Sequence, residues 1–233
     1  MKIDFTPYFK KYEEISSTAD ELFLRVQKDF PECVKCEIKC EDCCHALFDL
    51  TLIEAIYINH QLNKKFKGKE KEQLLEKSNR ADRKTYKIKK KAYQDKESGK
   101  NEVDILMEMA AERVRCPLLN GEGMCDLYEY RPITCRLYGI PTSIGGIGHT
   151  CGRSGFVEGQ QYPTVNLDII QKKLYEISAE FVSRIKTKYV KMAEMLVPLS
   201  MAILTDYDEN YLGVVDENET LKKQGKENDN DIP

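Results

Sequence analysis

Twelve residues, Cys33 to Cys44, constrain this chain more than any other stretch. They read CVKCEIKCEDCC, and five of the twelve are cysteine. Four more cysteines, Cys116, Cys125, Cys135 and Cys151, lie far downstream. So dense a run of thiols points to disulfides, to a metal or to redox chemistry. The N-terminus, MKIDFTPYFKKYEE, lacks the apolar core of a secretory leader. No stretch approaches the roughly 20 apolar residues of a membrane span. A cytoplasmic location is therefore expected, with thiols kept reduced and no membrane partner. Nine cysteines also leave one over in any disulfide scheme. Ligation of a metal by thiolates is the expected chemistry.

Around that run the pattern is helical. Phe9, Tyr12, Ile15, Ala19, Leu22, Phe23 and Val26 recur every three or four residues, which predicts a helix over 8–29 ended by Pro31. Thr51 and Glu54 are spaced as a capping box, predicting a second helix to about residue 63. Segment 64–100 has 15 lysines and arginines against 6 acidic residues. It reads as a basic helical insertion with a solvated face, broken at Ser98-Gly99. Its charge suits phosphate, an anionic partner or the chain's own acidic end. No nucleic-acid motif accompanies it, so nucleic acid is not an expected partner. A short helix is expected over 102–113, and a helical turn over 126–131.

Ile170, Leu174, Ile177, Phe181, Ile185, Tyr189, Met192 and Leu196 form one stripe, predicting a long helix over 165–197. Residues 206–233 are acidic and polar and read as a disordered tail. The expected architecture is thus mostly α: one helical domain over 1–205, its helices packed around an irregular cysteine-rich metal-binding core. Strand signals are weak.

Thiolates are soft ligands for zinc or an iron–sulfur cluster, and four complete either kind of site. Cys33, Cys36, Cys40 and Cys43 stand two or three residues apart, close enough for one turn to aim neighbouring sulfurs at one ion. Adjacent Cys43 and Cys44 tend to point different ways, which leaves two metals open. Cys116, Cys125, Cys135 and Cys151 are too far apart to nucleate a site locally. They fit as ligands brought in by the fold. His45 and His149 flank cysteines as ligands, second-layer donors or surface groups, whereas His60 reads as a helix-end cap. Arg131 and Arg136 beside Cys135 either offset thiolate charge or form ordinary salt bridges. Tyr128 and Tyr138 read as packing residues.

The order Cys43-Cys44, Cys116-Pro117-Leu118-Leu119, Gly123-x-Cys125, Tyr128-x2-Arg131-Pro132, Cys135-Arg136 and Cys151 resembles the cysteine-cluster family of zinc- or iron-chelating proteins with a CxxCxxxxCC motif. That family includes the flagellin N-methylases. The resemblance covers residues 33–152 and implies eight recurring cysteines, where this chain has nine. From Cys33 and Cys36 the gap to the Cys43-Cys44 pair is six residues; from Cys36 and Cys40 the first gap is three. Cys33, Cys36 and Cys40 therefore stay unsorted. Cys36-x3-Cys40-x2-Cys43 also has the spacing of radical S-adenosylmethionine enzymes, but a helix precedes it where a barrel strand would stand.

Two functions follow. One is a metal-binding protein whose zinc or iron–sulfur cluster is structural or senses metal or redox state. The other, implied by the resemblance, is an iron–sulfur-dependent protein-lysine N-methyltransferase using S-adenosylmethionine. The metal ion is the expected partner, and a protein partner is left open.

Overall fold

The structure, a computed structural model, describes residues 3–215. Helix α1 (Thr6–Asp29) leads into the first cysteine loop, which holds a 3-10 turn at Asp42–His45 and ends in strand β1 (Asp49–Thr51). Helices α2 (Leu52–Lys65), α3 (Gly68–Glu97) and α4 (Glu102–Ala111) follow. The second cysteine region carries α5 (Ile133–Leu137), β2 (Thr142–Ile144) and β3 (Ile147–His149). The chain then runs through β4 (Val165–Asn166), α6 (Leu167–Ile185), β5 (Leu196–Pro198) and α7 (Leu199–Leu204). The fold is mostly α, as the periodicity predicts. Its sheets are small: β1 pairs antiparallel with β5, while β2 pairs antiparallel with β3 and parallel with β4.

Helix α2 is rich in aliphatic residues and buried over nearly its whole length. Leu52, Ile53, Ala55, Ile56, Ile58 and Leu62 are all fully buried. Each such aliphatic side chain contributes about 1.5–3 kcal/mol on leaving water. Helices α1, α6 and α7 enclose it. Its start is held as the capping-box spacing predicts, with the Thr51 N–H donating to the Glu54 carboxylate at 3.3 Å. The Ile53 N–H donates to Ser178 Oγ of α6 at 3.2 Å. Asn59 donates to the carbonyls of Ala202 and Thr205 at 3.0 and 2.9 Å, satisfying the otherwise orphaned end of α7.

Several expectations are corrected. The basic segment does form a helix with a solvated face, but its other face is not free: Leu74, Ser78, Ala81 and Thr85 are buried and α3 packs against α7. Lys89 of α3 pairs with Asp49 at 2.6 Å, and Ser200 donates to Asp82 at 3.1 Å. The long helix expected over 165–197 ends at Ile185, where Lys186 takes a left-handed conformation (φ 51°). Leu196 and Val197 are drawn into β5 instead, with Val197 opposite Leu50. His60 is not an end cap: it lies within α2, its ring 4.9 Å from that of Phe9.

The tail boundary also moves. Leu212 is fully buried, Val214 bridges to Thr187, and the Lys188 N–H donates to the Gly213 carbonyl at 2.9 Å. Residues 206–215 thus pack on the body, while 216–233 lie outside the described residues. No helix among the described residues is long and apolar enough to cross a membrane.

Candidate metal centre

The two cysteine regions are joined first by their backbones. The Cys116 N–H donates to the Cys44 carbonyl at 2.7 Å, and the Val114 N–H to that of His45 at 3.1 Å. This short pairing sets Cys44 beside Cys116 across about 70 residues of intervening helix, whose closure entropy rises only slowly with length. Residues 116–126 then form a hairpin. Its strands meet at the Leu119–Cys125 bridge, and the Asp126 N–H donates to the Leu118 carbonyl at 2.8 Å. The Asn120 side chain accepts from the Glu122 and Met124 N–H groups, closing the turn. Helix α5 presents Cys135 from a third direction, and Cys151 follows β3.

Eight cysteines line one cavity of about 770 Å³: Cys36, Cys40, Cys43, Cys44, Cys116, Cys125, Cys135 and Cys151. Cys33 is not among them. It makes backbone contacts instead, its carbonyl accepting from the Gly155 N–H at 2.8 Å. Of the three cysteines that spacing left unsorted, Cys36 and Cys40 line the cavity and Cys33 does not. All nine are free thiols. Among the described residues, no group of three or more His, Cys, Asp or Glu side chains is gathered closely enough to hold an ion. The sulfurs stand around a cavity wall, not at a point.

Their surroundings suit thiolates in part. Backbone N–H groups two residues on reach the sulfurs of Cys116 (from Leu118), Cys125 (from Leu127) and Cys151 (from Arg153, at 3.4 Å). Such donors favour the charged form and recur around metal-bound sulfur. Cys43 is held down at about 7, mainly because the Cys44 thiol donates to it. Cys44 itself is pushed far up by that same bond. Burial raises Cys36 to about 11 and Cys116 to about 12, and pushes Cys135 well up. Without a cation the cavity holds mostly neutral thiols. With one, the soft donor set fits zinc or iron.

Arg131 faces the cavity, and its charge favours the thiolates of Cys36, Cys43, Cys125 and Cys135. Its guanidinium also stacks on Tyr128, 4.1 Å from the ring centre, and reaches Asp20 at 3.3 Å. Both earlier readings of Arg131 thus apply. Arg136 is buried, pairs with Asp20 and donates to the carbonyls of Arg131 and Glu129, so it braces the loop. His45 bonds the Glu41 carbonyl at 3.1 Å and His149 is exposed on β3; neither lines the cavity.

Asp42 is the residue that sequence reasoning missed. It accepts from Tyr138 Oη at 2.8 Å and Arg113 at 2.7 Å, and the Cys151 sulfur lies 3.6 Å away. Burial pushes its carboxyl up, but Tyr138 and Arg113 outweigh that and hold it below its ordinary value. Tyr138 is therefore more than a packing residue. The only available signal was the position of Asp42 inside the cysteine run. Its partners are distant in sequence.

A family model named CxxCxxCC, described as "Putative zinc- or iron-chelating domain", matches residues 33–152. No curated protein and no solved structure matches the chain. The matched family is the cysteine-cluster family that the sequence resembles. The first cysteine loop runs Cys33-x2-Cys36-x3-Cys40-x2-Cys43-Cys44. Lys39, between Cys36 and Cys40, takes a left-handed conformation (φ 70°). The match begins at Cys33, although Cys33 does not line the cavity.

Proposed function

The chain belongs to the CxxCxxCC family of zinc- or iron-chelating domains, and from that premise we propose a metal-binding protein. Its eight cavity-lining cysteines hold zinc or an iron–sulfur cluster as thiolates. The metal is structural, or reports metal or redox state. One observation carries this reading: eight thiols from separate parts of the chain line a single cavity, with backbone N–H groups aimed at three of their sulfurs. Thiols raised by burial must lose protons to bind, so metal uptake should release protons and tighten as pH rises.

Elemental analysis of anaerobically purified protein, with a count of reactive thiols, tests the reading. The expected result is at least about one zinc ion or cluster per chain, with most thiols protected. A brown colour selects iron–sulfur and a colourless zinc protein selects zinc. Protein free of both metals, with every thiol reactive, would falsify the reading.

The size of the cavity favours a second reading. An apolar wall that includes Phe23, Leu24, Phe48 and Leu199 adjoins the thiols. That space would suit an organic co-substrate, as the iron–sulfur-dependent protein-lysine N-methyltransferase requires. Binding of S-adenosylmethionine to metal-loaded protein, measured by calorimetry, decides for or against it.

A further inference from the structure

Helix α3 carries a surface that metal binding does not use. We propose that its outer face binds single-stranded nucleic acid, with cations on the phosphates and tyrosine rings on the bases. Arg80, Arg83, Lys84, Lys87, Lys90 and Lys91 recur every three or four residues, so they share one side of the helix. All six are exposed, on the side away from buried Leu74, Ser78, Ala81 and Thr85. The stripe runs about 16 Å along the helix axis. Among the described residues, only Arg80 and Lys91 of the six meet a carboxylate, each at 3.7 Å.

Like charges at this spacing repel one another. Elsewhere α3 mixes its signs, with Glu70, Glu72 and Glu76 before the stripe and Asp95 and Glu97 after it. Inside the stripe the one acid is Asp82, to which Ser200 of α7 donates at 3.1 Å. The solvated face is thus a line of nearly uncompensated positive charge, and a polyanion complements it.

Two features select a single nucleic-acid strand among polyanions. Tyr86 and Tyr93 are 64% and 65% exposed on one flank of the stripe, about two helical turns apart. Arg83 and Lys90 stand three residues before them, so each ring has a cation as its surface neighbour. Such rings stack unpaired bases while the cations neutralise the backbone, and an acidic peptide gives them no base to stack. The packed side of α3 disfavours a duplex: the helix lies against α7 and cannot sink into a major groove to read base edges. The expectation against nucleic acid rested on a missing motif, and stacking with phosphate contact needs none.

Fluorescence anisotropy of the full chain with labelled oligothymidylate of about 15 nucleotides tests the proposal. Binding is expected with a log–log salt slope of about −4, the value for six phosphates on a single strand. Lys87→Glu with Lys90→Glu should weaken it at least about tenfold and flatten the slope. Tyr86→Ala with Tyr93→Ala should weaken it at least about tenfold and leave the slope unchanged. Lys172→Glu with Lys173→Glu, an equal charge change on exposed residues of α6, should bind nearly as the wild type does. Every substituted side chain is exposed, so the variants should fold, which melting curves check. No binding at low salt, or no loss in the α3 lysine variant, overturns the proposal. So do tyrosine variants that bind like the wild type, a duplex held more tightly than the single strand, or polyglutamate that competes equally well and marks an acidic protein as the partner. None of these outcomes bears on the metal reading.

Discussion

Gly139 shows how tightly single residues define the cavity. Its φ is +104°, a conformation that side chains rarely adopt, and a Cβ built there would lie 2.3 Å from the Cys36 sulfur. The glycine therefore makes room for a thiol and completes the turn after α5. Gly139→Ala should cost about 1–3 kcal/mol of stability and displace Cys36, lowering bound metal. Gly148→Ala is the matched control, since its added Cβ meets nothing within 4 Å. Melting temperature and zinc content of the two variants check this. Equal behaviour would show that the Gly139 approach is not binding on the site. Asp42 makes a related point: its partners Arg113 and Tyr138 lie 71 and 96 residues away along the chain.

Among the elements, α5 links the core to the cysteines. It is only five residues long and too short to be stable by itself. Its first N–H, of Ile133, donates at 3.2 Å to Glu54, which also caps α2. One buried carboxyl thus holds the starts of two helices, and Cys135 rides on the second. Burial pushes Glu54 above its ordinary value near 4.5, although the N–H groups of Ile133 and Thr51 pull it down. An acid raised in this way stabilises the fold fully below that ordinary value and loses the contribution as pH rises through the folded value. Glu54→Gln removes the titration. The stability of the wild type relative to Glu54→Gln should therefore grow as pH falls from about 7 toward the ordinary value. Urea unfolding across that range is the measurement, and parallel pH curves for the two proteins would count against it.

For the whole molecule, the helices around α2 form an apolar core continuous with the cavity wall through Leu118, and the C-terminal stretch packs on it. Thr187 Oγ1 donates to the Leu212 carbonyl at 2.5 Å, and the ring centres of Tyr207 and Tyr211 lie 5.3 Å apart. Cutting the chain after Asp206 removes Leu212 from the core. The loss should resemble a large-to-small core substitution, about 2–5 kcal/mol. A chain ending at Val215 keeps the Leu212 packing and the Thr187–Val214 bridge and should melt as the full chain does. Thermal melts of both truncations test this. An unchanged melting temperature for the shorter one would show that the packing of Leu212 is worth little.

Local chemistry explains what was legible in the sequence. A stripe such as Phe9, Tyr12, Ala19 and Val26 repeats at the helical period, and Thr51 with Glu54 carries its own start signal, so α1 and α2 are readable from neighbours alone. The cysteine run likewise announces soft-ligand chemistry by density. Tertiary structure decided the rest, because each remaining choice depends on a distant partner. Leu196 fits a helical stripe but pairs in β5 opposite Thr51, and its strand neighbour Val197 is buried against Leu50. Leu212 sits in a polar stretch but fills the core. Cys33, Cys36 and Cys40 differ little in spacing, and only the path of the loop puts Cys36 and Cys40 on the cavity wall and Cys33 off it. Spacing limits how far apart two sulfurs can be; which way each one faces is set by what packs behind it.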